Sequence, residues 1–181
     1  FINPVADQAV CGNNADATLL ATDNGVATGY QWSTSGDGTF DTPTALGATY
    51  TPSVNDTAAG TVVLNISTTA QGTCTSVNQS MTLSITDAPY IDAGNGQTVC
   101  ANNANTTLLA TSNSAATAWQ WSTSGTGTFD TPTALGAIYN PSEPADTSGN
   151  PAIITLNVST TAQGTCLSVN DDVAITITDA P

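Results

Sequence analysis

Lysine, arginine and histidine are absent from this 181-residue chain, and its 14 acidic side chains give a formal net charge of -14 at pH 7. Phosphate backbones and anionic lipid surfaces are held mainly through Lys and Arg, so nucleic acid and a membrane surface are excluded as direct partners. The same absence bears on catalysis, because His and Lys are the side chains most often tuned to move protons near neutral pH. A reactive thiol would have no basic neighbour. A zinc site would have neither His nor a Cys-x-x-Cys pair. With no Ser/His/Asp set and no phosphate-binding glycine loop either, the chain reads as a non-enzyme.

Long apolar runs are missing too. None approaches the ~20 residues that cross a bilayer, which argues against direct membrane insertion. The opening Phe1-Ile2-Asn3-Pro4 is not a basic stretch leading into an apolar one, and it reads as the start of an internal segment of a longer protein. Hydrophobic residues nevertheless make up 39% of the chain, enough for packed cores and against disorder. The length suits two small domains.

What the chain does contain is a repeat. Gln31-Trp32-Ser33-Thr34-Ser35-Gly36 recurs as Gln120 to Gly125, 89 residues later (121 − 32), and Thr39 to Ala48 recurs at the same spacing as Thr128 to Ala137. Ser67 to Cys74 returns as Ser159 to Cys166, with the spacing grown to 92 (166 − 74). The extra residues fall between Tyr139 and Ile153, where Glu143 to Pro151 replaces the shorter Val54 to Gly60. Both stretches read as a loop that tolerates changes of length. Thr86-Asp87-Ala88-Pro89 is repeated as Thr178 to Pro181, which sets domains at 1–88 and 89–181, joined by a short Pro-containing linker.

In the first copy, Val62, Leu64 and Ile66 alternate with Val63, Asn65 and Ser67, and Met81, Leu83 and Ile85 with Thr82, Ser84 and Thr86. Ile154, Leu156 and Val158, then Val173, Ile175 and Ile177, do the same in the second copy. This period of two predicts strands with one buried face, joined as a hairpin around Gly72 or Gly164. Thr18 to Ala21, Tyr30 to Trp32 and Ala48 to Thr51 supply further strands, and no helical periodicity is evident. About seven short strands per copy match an all-β, immunoglobulin-like sandwich. Trp32 and Trp121 are the expected core pins, with Leu64, Leu83, Leu156 and Ile175 in the same cores, and Tyr30 and Trp119 on the face of the tryptophans.

Each copy has one early and one late cysteine: Cys11 and Cys74 are 63 residues apart, and Cys100 and Cys166 are 66 apart. An even count in small secreted domains means disulfides. Bridges inside each copy, Cys11 to Cys74 and Cys100 to Cys166, make each module self-sufficient, but they require a shortened or bent first strand to bring the Cα atoms within ~7 Å. The alternative is a bridge between copies, Cys11 to Cys166, with Cys74 and Cys100 paired to repeats beyond this segment. Among the acids, only Asp41/Asp130 and Asp87/Asp179 stand out as matched pairs, and the acidic set reads as a solvated, self-repelling surface. A structural Ca²⁺ at the junction would draw on Asp87, Asp92 and backbone carbonyls; otherwise no cofactor is implied. Asp56-Thr57-Ala58 is similar to a short O-glycosylation motif of Bacteroidota, with Thr57 as acceptor.

Val99-Cys100, Trp121 to Phe129, Ile138-Tyr139-Asn140-Pro141 and Gly164-Thr165-Cys166 together resemble the PKD-like, immunoglobulin-like tandem repeats of large secreted surface adhesins of Bacteroidota, of the gliding-motility type. The resemblance covers both copies. It implies export, extracellular display at the cell surface, and a structural or adhesive role as stalk or filament building block, with neighbouring repeats and a surface glycan or protein ligand as partners. Two alternatives remain: a glycan-binding accessory module of a secreted enzyme, with Tyr50 and Tyr139 stacking on sugars, and a fibre subunit that self-assembles through strand edges.

Overall fold

A computed structural model describes every residue except Val5, Gln71, Gly149 and Asn150. The chain forms two compact units, Phe1–Ala88 and Pro89–Pro181. The first contains β1 (Ile2–Asn3), β2 (Gln8–Cys11), β3 (Ala17–Leu20), β4 (Thr22–Asp23), β5 (Tyr30–Thr34), β6 (Thr39–Phe40), β7 (Gly47–Thr51), α1 (Val54–Ala59), β8 (Thr61–Thr68) and β9 (Asn78–Thr86). A four-stranded sheet in the order β2-β9-β8-β5 faces a three-stranded sheet, β3-β7-β6, and β1 pairs with β4 at the side.

The alternation in β8 and β9 builds the core. Val62, Leu64 and Ile66 are buried, as are Met81, Leu83 and Ile85, and the antiparallel register sets Leu64 opposite Met81 and Val62 opposite Leu83. From the facing sheet, Leu19, Ala48 and Tyr50 close over them, so one apolar layer lies between the two sheets. Each fully buried Leu or Ile contributes about 2 kcal/mol.

Trp32 sits at the centre of this layer, 1% exposed. Its indole N–H donates to the Ala45 carbonyl at 2.9 Å and its backbone N–H to the Pro43 carbonyl at 2.7 Å. The β6–β7 loop is thereby fastened along the outer edge of β5. The ring lies 6.1 Å from that of Phe40, which lies 4.8 Å from Tyr50. This is why Thr39 to Ala48 is copied so closely in the sequence: it supplies both the carbonyls and the Phe that hold the tryptophan.

The second unit repeats the plan with β10 (Ile91–Asp92), β11 (Gln97–Cys100), β12 (Thr106–Thr107), β13 (Thr111–Ser112), β14 (Ala118–Thr123), β15 (Thr128–Phe129), β16 (Ile138–Asn140), β17 (Ala152–Ala162) and β18 (Asn170–Thr178). Its sheets run β11-β18-β17-β14 and β12-β16-β15, with β10 beside β13. Trp121, Leu156, Val158, Ile175 and Tyr139 are buried in one core, and the indole N–H of Trp121 donates to the Ala134 carbonyl at 2.9 Å. Trp119 replaces Tyr30. The Tyr30 hydroxyl donates to Asp23 at 2.6 Å, whereas Trp119 Nε1 is buried with no acceptor, because Ser112 stands where the first copy has Asp23.

In both units the first strand of the large sheet pairs in parallel with the last: Gln8 to Cys11 against Leu83 to Thr86, and Gln97 to Cys100 against Ile175 to Thr178. Parallel neighbours carry the chain in at one end of the unit and out at the other.

One element departs from the sequence expectation. The segment after β7 contains α1 in the first unit, where a loop is expected. Ser53 accepts from the backbone N–H of Asp56, the Asp56 side chain accepts from the Ser53 N–H in return, and Gly60 closes the helix in the left-handed conformation at φ 73°. Periodicity misses it because the only residue it buries is an aspartate. In the second unit the matching stretch is a series of turns, and Gly149 and Asn150 of the expected insertion loop lie outside the described residues.

Because each unit has its own apolar layer, Leu64→Ala is expected to cost the first unit about 3 kcal/mol and Leu156→Ala the second by a similar amount. Calorimetry of the two variants should lower a different part of the unfolding endotherm in each case.

Candidate functional site: a buried tyrosine–aspartate latch

Asp56 and Asp146 are the buried acids of the described chain, 3% and 2% exposed. In the first unit, Asp56 Oδ2 accepts from the Tyr50 hydroxyl at 2.6 Å, the Gly38 N–H at 3.0 Å and the Ser53 N–H at 3.1 Å, while Oδ1 accepts from the Asp37 N–H at 3.2 Å. In the second, Asp146 Oδ2 accepts from Tyr139 at 2.7 Å, Gly127 at 2.7 Å and Ser142 at 3.1 Å. Its Oδ1 accepts from the Thr126 N–H at 2.7 Å and the Thr126 hydroxyl at 3.1 Å. One carboxylate thus ties the β5–β6 turn, or the β14–β15 turn, to the segment that follows β7 or β16.

The turn must approach the carboxylate closely, and this explains its glycines. A Cβ on Gly38 would lie 2.5 Å from both the Thr51 carbonyl oxygen and the Tyr50 hydroxyl, and one on Gly36 would fall 1.9 Å from Asp56 Oδ1. Gly125 and Gly127 are confined in the same way by Asp146, Tyr139 and the Asn140 carbonyl.

Burial pushes both carboxyls up, but their donors outweigh it. Asp56 is held below its ordinary range by Tyr50 and the surrounding backbone N–H groups, and Asp146 is lowered to about 2 by Thr126, Tyr139, Ser142 and Gly127. Burial, joined by the adjacent carboxylate, raises Tyr50 and Tyr139, so each phenol stays protonated and keeps donating. A carboxylate charged at neutral pH and surrounded by donors suits holding a loop in place, and it offers no proton to a substrate.

Asp56 and Asp146 match one another in space although the sequence alignment separates them. The shift between the two is 90 (146 − 56), one more than between Ser53 and Ser142, so one of the extra residues falls between Ser142 and Asp146. The available signal was Ser-x-x-Asp in the first copy and Ser-x-x-x-Asp in the second, each following Tyr-x-Pro. The reading of the acids as a uniformly solvated surface therefore needs correction. Asp41 and Asp130 also serve structure, although they are exposed. Asp41 accepts from the N–H groups of Thr42 and Thr49 at 2.6 Å each, and Asp130 accepts from those of Thr131 at 2.6 Å and Ile138 at 2.7 Å. Both carboxyls are lowered, first by the bond from Thr49 and Ile138 respectively.

The other candidate residues lie apart from the latch. Asp92 accepts from the Gly94 N–H at 2.8 Å and the Tyr90 hydroxyl at 3.1 Å, and the Asp87 carbonyl lies 3.7 Å from the Cys11 sulfur. No group of three or more His, Cys, Asp or Glu side chains among the described residues could hold a metal ion. Thr57 lies in α1 with its hydroxyl donating to the Ser53 carbonyl at 3.0 Å, directly after the buried Asp56. Tyr50 and Tyr139 are fully buried, so they offer no ring face for sugar stacking.

The cysteine bridges inside each copy are not formed. Cys74 and Cys100 are free thiols, so each in-copy pair lacks one member. The parallel register is the reason. Cys11 stands beside Thr86 at the far end of β9, whereas Cys74 precedes the near end of that strand at Asn78, roughly 26 Å away at the usual strand rise. That separation is far beyond disulfide reach, and Cys100 and Cys166 stand at opposite ends of β18 in the same way.

Removing the latch is expected to destabilise its unit: Asp146→Ala by about 3 kcal/mol and Tyr139→Phe by about 1.5 kcal/mol in denaturant titrations. Asp146 ionises at lower pH in the folded state than its unfolded value of 3.8, so its contribution is complete above that value and is lost as pH falls toward about 2. Asp146→Asn should remove this part of the acid dependence of the second unit, as read by circular dichroism between these pH values.

No protein-family model and no curated protein sequence matches the chain. Solved structures do. Drosophila N-cadherin EC1-4 is similar with a TM-score of 0.52 at 12% identity over 99% of this chain and 49% of that one, so the chain spans about half its length. Mouse cadherin-23 EC22-24 (TM-score 0.48, 15% identity, 97% of this chain and 63% of that one) and human protocadherin-24 EC1-2 (0.43, 13%, 99% of each) are also similar. At these identities the likeness shows the fold alone: each unit is an immunoglobulin-like β-sandwich of the kind found in cadherin extracellular repeats.

Proposed function

We propose that the chain is a non-catalytic stalk segment of a long extracellular adhesin or surface fibre, whose repeats span distance and carry tension. The parallel pairing of first and last strands supports this reading most directly. Entry and exit at opposite ends let each copy add its length to a tandem array. Tension applied through the two ends of a unit pulls β2 against β9 in the first, or β11 against β18 in the second, along the strand direction, so the ladder bonds are strained together rather than one after another.

The likeness to cadherin extracellular repeats agrees with an adhesive or structural role outside the cell. Among the described residues no helix is long and apolar enough to cross a membrane. The sequence resemblance to repeats of Bacteroidota surface adhesins points the same way. Unrelieved acidity keeps neighbouring stalks apart, and the lack of Lys and Arg denies trypsin-like proteases a cleavage site. The glycan-module alternative loses the residues on which it was founded, since Tyr50 and Tyr139 are committed to the latch.

Single-molecule pulling on the chain from its two ends, with all cysteines reduced, should give two discrete unfolding events, one for each unit, because forced unfolding is governed by the barrier and these bonds break together. Attachment through residues at the same end of β8 and β9 would peel that pair apart bond by bond and should lower the force. Gradual extension without discrete events from the terminal handles would contradict the tension-carrying reading.

A further inference from the structure

Two asparagines in the chain are followed directly by glycine, Asn24 in the first unit and Asn95 in the second. Asn24-Gly25 follows β4, and Asn95-Gly96 lies between β10 and β11. All four residues are exposed. In each place the fold requires the glycine. Gly25 stands in the left-handed region at φ 74°, and a Cβ on Gly96 would lie 3.1 Å from the Ala174 carbonyl oxygen of β18. A backbone nitrogen on a glycine is the least shielded nucleophile the main chain offers, and closing it onto the preceding asparagine side-chain carbonyl carbon makes a five-membered ring. Among the described residues, the N–H groups of Gly25 and Gly96 have no acceptor, and the side chains of Asn24 and Asn95 have no hydrogen-bond partner. Nothing holds the two groups apart.

Two related sites show the opposite arrangement. Asn113 is the counterpart of Asn24, 89 residues on (113 − 24), but Ser114 follows it, and its side-chain oxygen accepts from the N–H groups of Tyr90 at 3.0 Å and Ala115 at 3.3 Å. Asp37 is followed by a glycine, yet the Gly38 N–H donates to Asp56 at 3.0 Å and to the Tyr50 hydroxyl at 3.2 Å, and the Asp37 carboxylate accepts from Asn55 at 2.7 Å. The latch thus engages both groups that would have to react.

We propose that Asn24 and Asn95 are sites at which the folded chain modifies itself, with water as the only co-reactant. The nitrogen of Gly25 or Gly96 loses its proton and attacks the asparagine side-chain carbonyl carbon; a C–N bond forms, and the side-chain nitrogen leaves with a proton as ammonia. Water then opens the succinimide at one carbonyl or the other, giving aspartate or isoaspartate. One water enters, one ammonia departs, and no electrons are transferred. Each event adds a negative charge to a chain with no basic side chain to offset it. At residue 24 the new carboxylate arises next to Asp23, which accepts from the Tyr30 hydroxyl at 2.6 Å, and isoaspartate adds a main-chain carbon directly after β4. Each unit carries one such record of its age.

The test incubates the whole chain in mildly alkaline buffer, folded and in urea, beside the variants Asn24→Gln and Asn95→Gln. Chymotryptic peptides are then mapped by mass and by labelling with an isoaspartate-specific methyltransferase. The folded chain should gain two acidic steps on isoelectric focusing, one of them lost in each variant, with isoaspartate at residues 24 and 95 and a rate that rises with hydroxide concentration. Asn113 and Asp37 should stay unmodified in the folded chain, and Asp37 should begin to isomerise in urea. Intact Asn24 and Asn95 in the folded chain, after the urea sample has converted at both, would overturn the proposal, since the fold would then be protecting these turns. Conversion of Asn113 or Asp37 in the folded chain as fast as that of Asn24 would also overturn it, because hydrogen bonding would not be selecting the site.

Discussion

The parallel pairing of the first and last strands of each large sheet is the constraint on which the other features depend. Four backbone partners, Gln8 to Cys11 against Leu83 to Thr86, decide that the chain leaves the unit at the end opposite to its entry. The same register places the early cysteine at the exit and separates it from the late cysteine by most of the length of β9. A sandwich closed by antiparallel terminal strands would bring both ends of the chain to one side. Its cysteines would then be candidates for an internal bridge.

The second organising fact is the lack of any basic side chain. A chain without Lys, Arg or His cannot neutralise a buried carboxylate with a side-chain ion pair, yet two carboxylates are buried here. Neutral donors do the work. Tyrosine hydroxyls, threonine hydroxyls and the N–H groups of glycine-rich turns surround Asp56 and Asp146, and backbone N–H groups converge on Asp41 and Asp130. Hydrogen bonds to a charged acceptor are among the stronger ones, and in buried positions salt screens them little. The acidity is therefore partly structural, and Asp7, Asp23, Asp37, Asp92, Asp171 and Asp172 accept protein hydrogen bonds as well.

The sequence was most legible where burial follows a period. Val62, Leu64 and Ile66 and their counterparts mark the central strands without ambiguity, and Trp32 and Trp121 lie in the cores because a large ring at the middle of a short strand has nowhere else to go. The latch was hidden for two reasons. Its central residue is polar, so α1 shows no apolar stripe, and a one-residue insertion between Ser142 and Asp146 moves the two aspartates out of step. Cysteine count indicated disulfides but could not choose among pairings, since that choice depends on strand register over a separation of 63 or 66 residues. The tyrosines showed the same limit: Tyr50 in a short polar strand reads as a core cap, with a sugar platform as the alternative, until the position of its hydroxyl partner is known.

The central claim is that the terminal strands of each unit run side by side in the same direction. Cross-strand nuclear Overhauser effects measure this directly. Contacts between Ala9 and Ser84 and between Thr98 and Thr176, in the evenly staggered pattern of parallel strands, are the expected result. The close Hα–Hα contacts of an antiparallel pair at these positions, or no contact between the strands at all, would contradict the account.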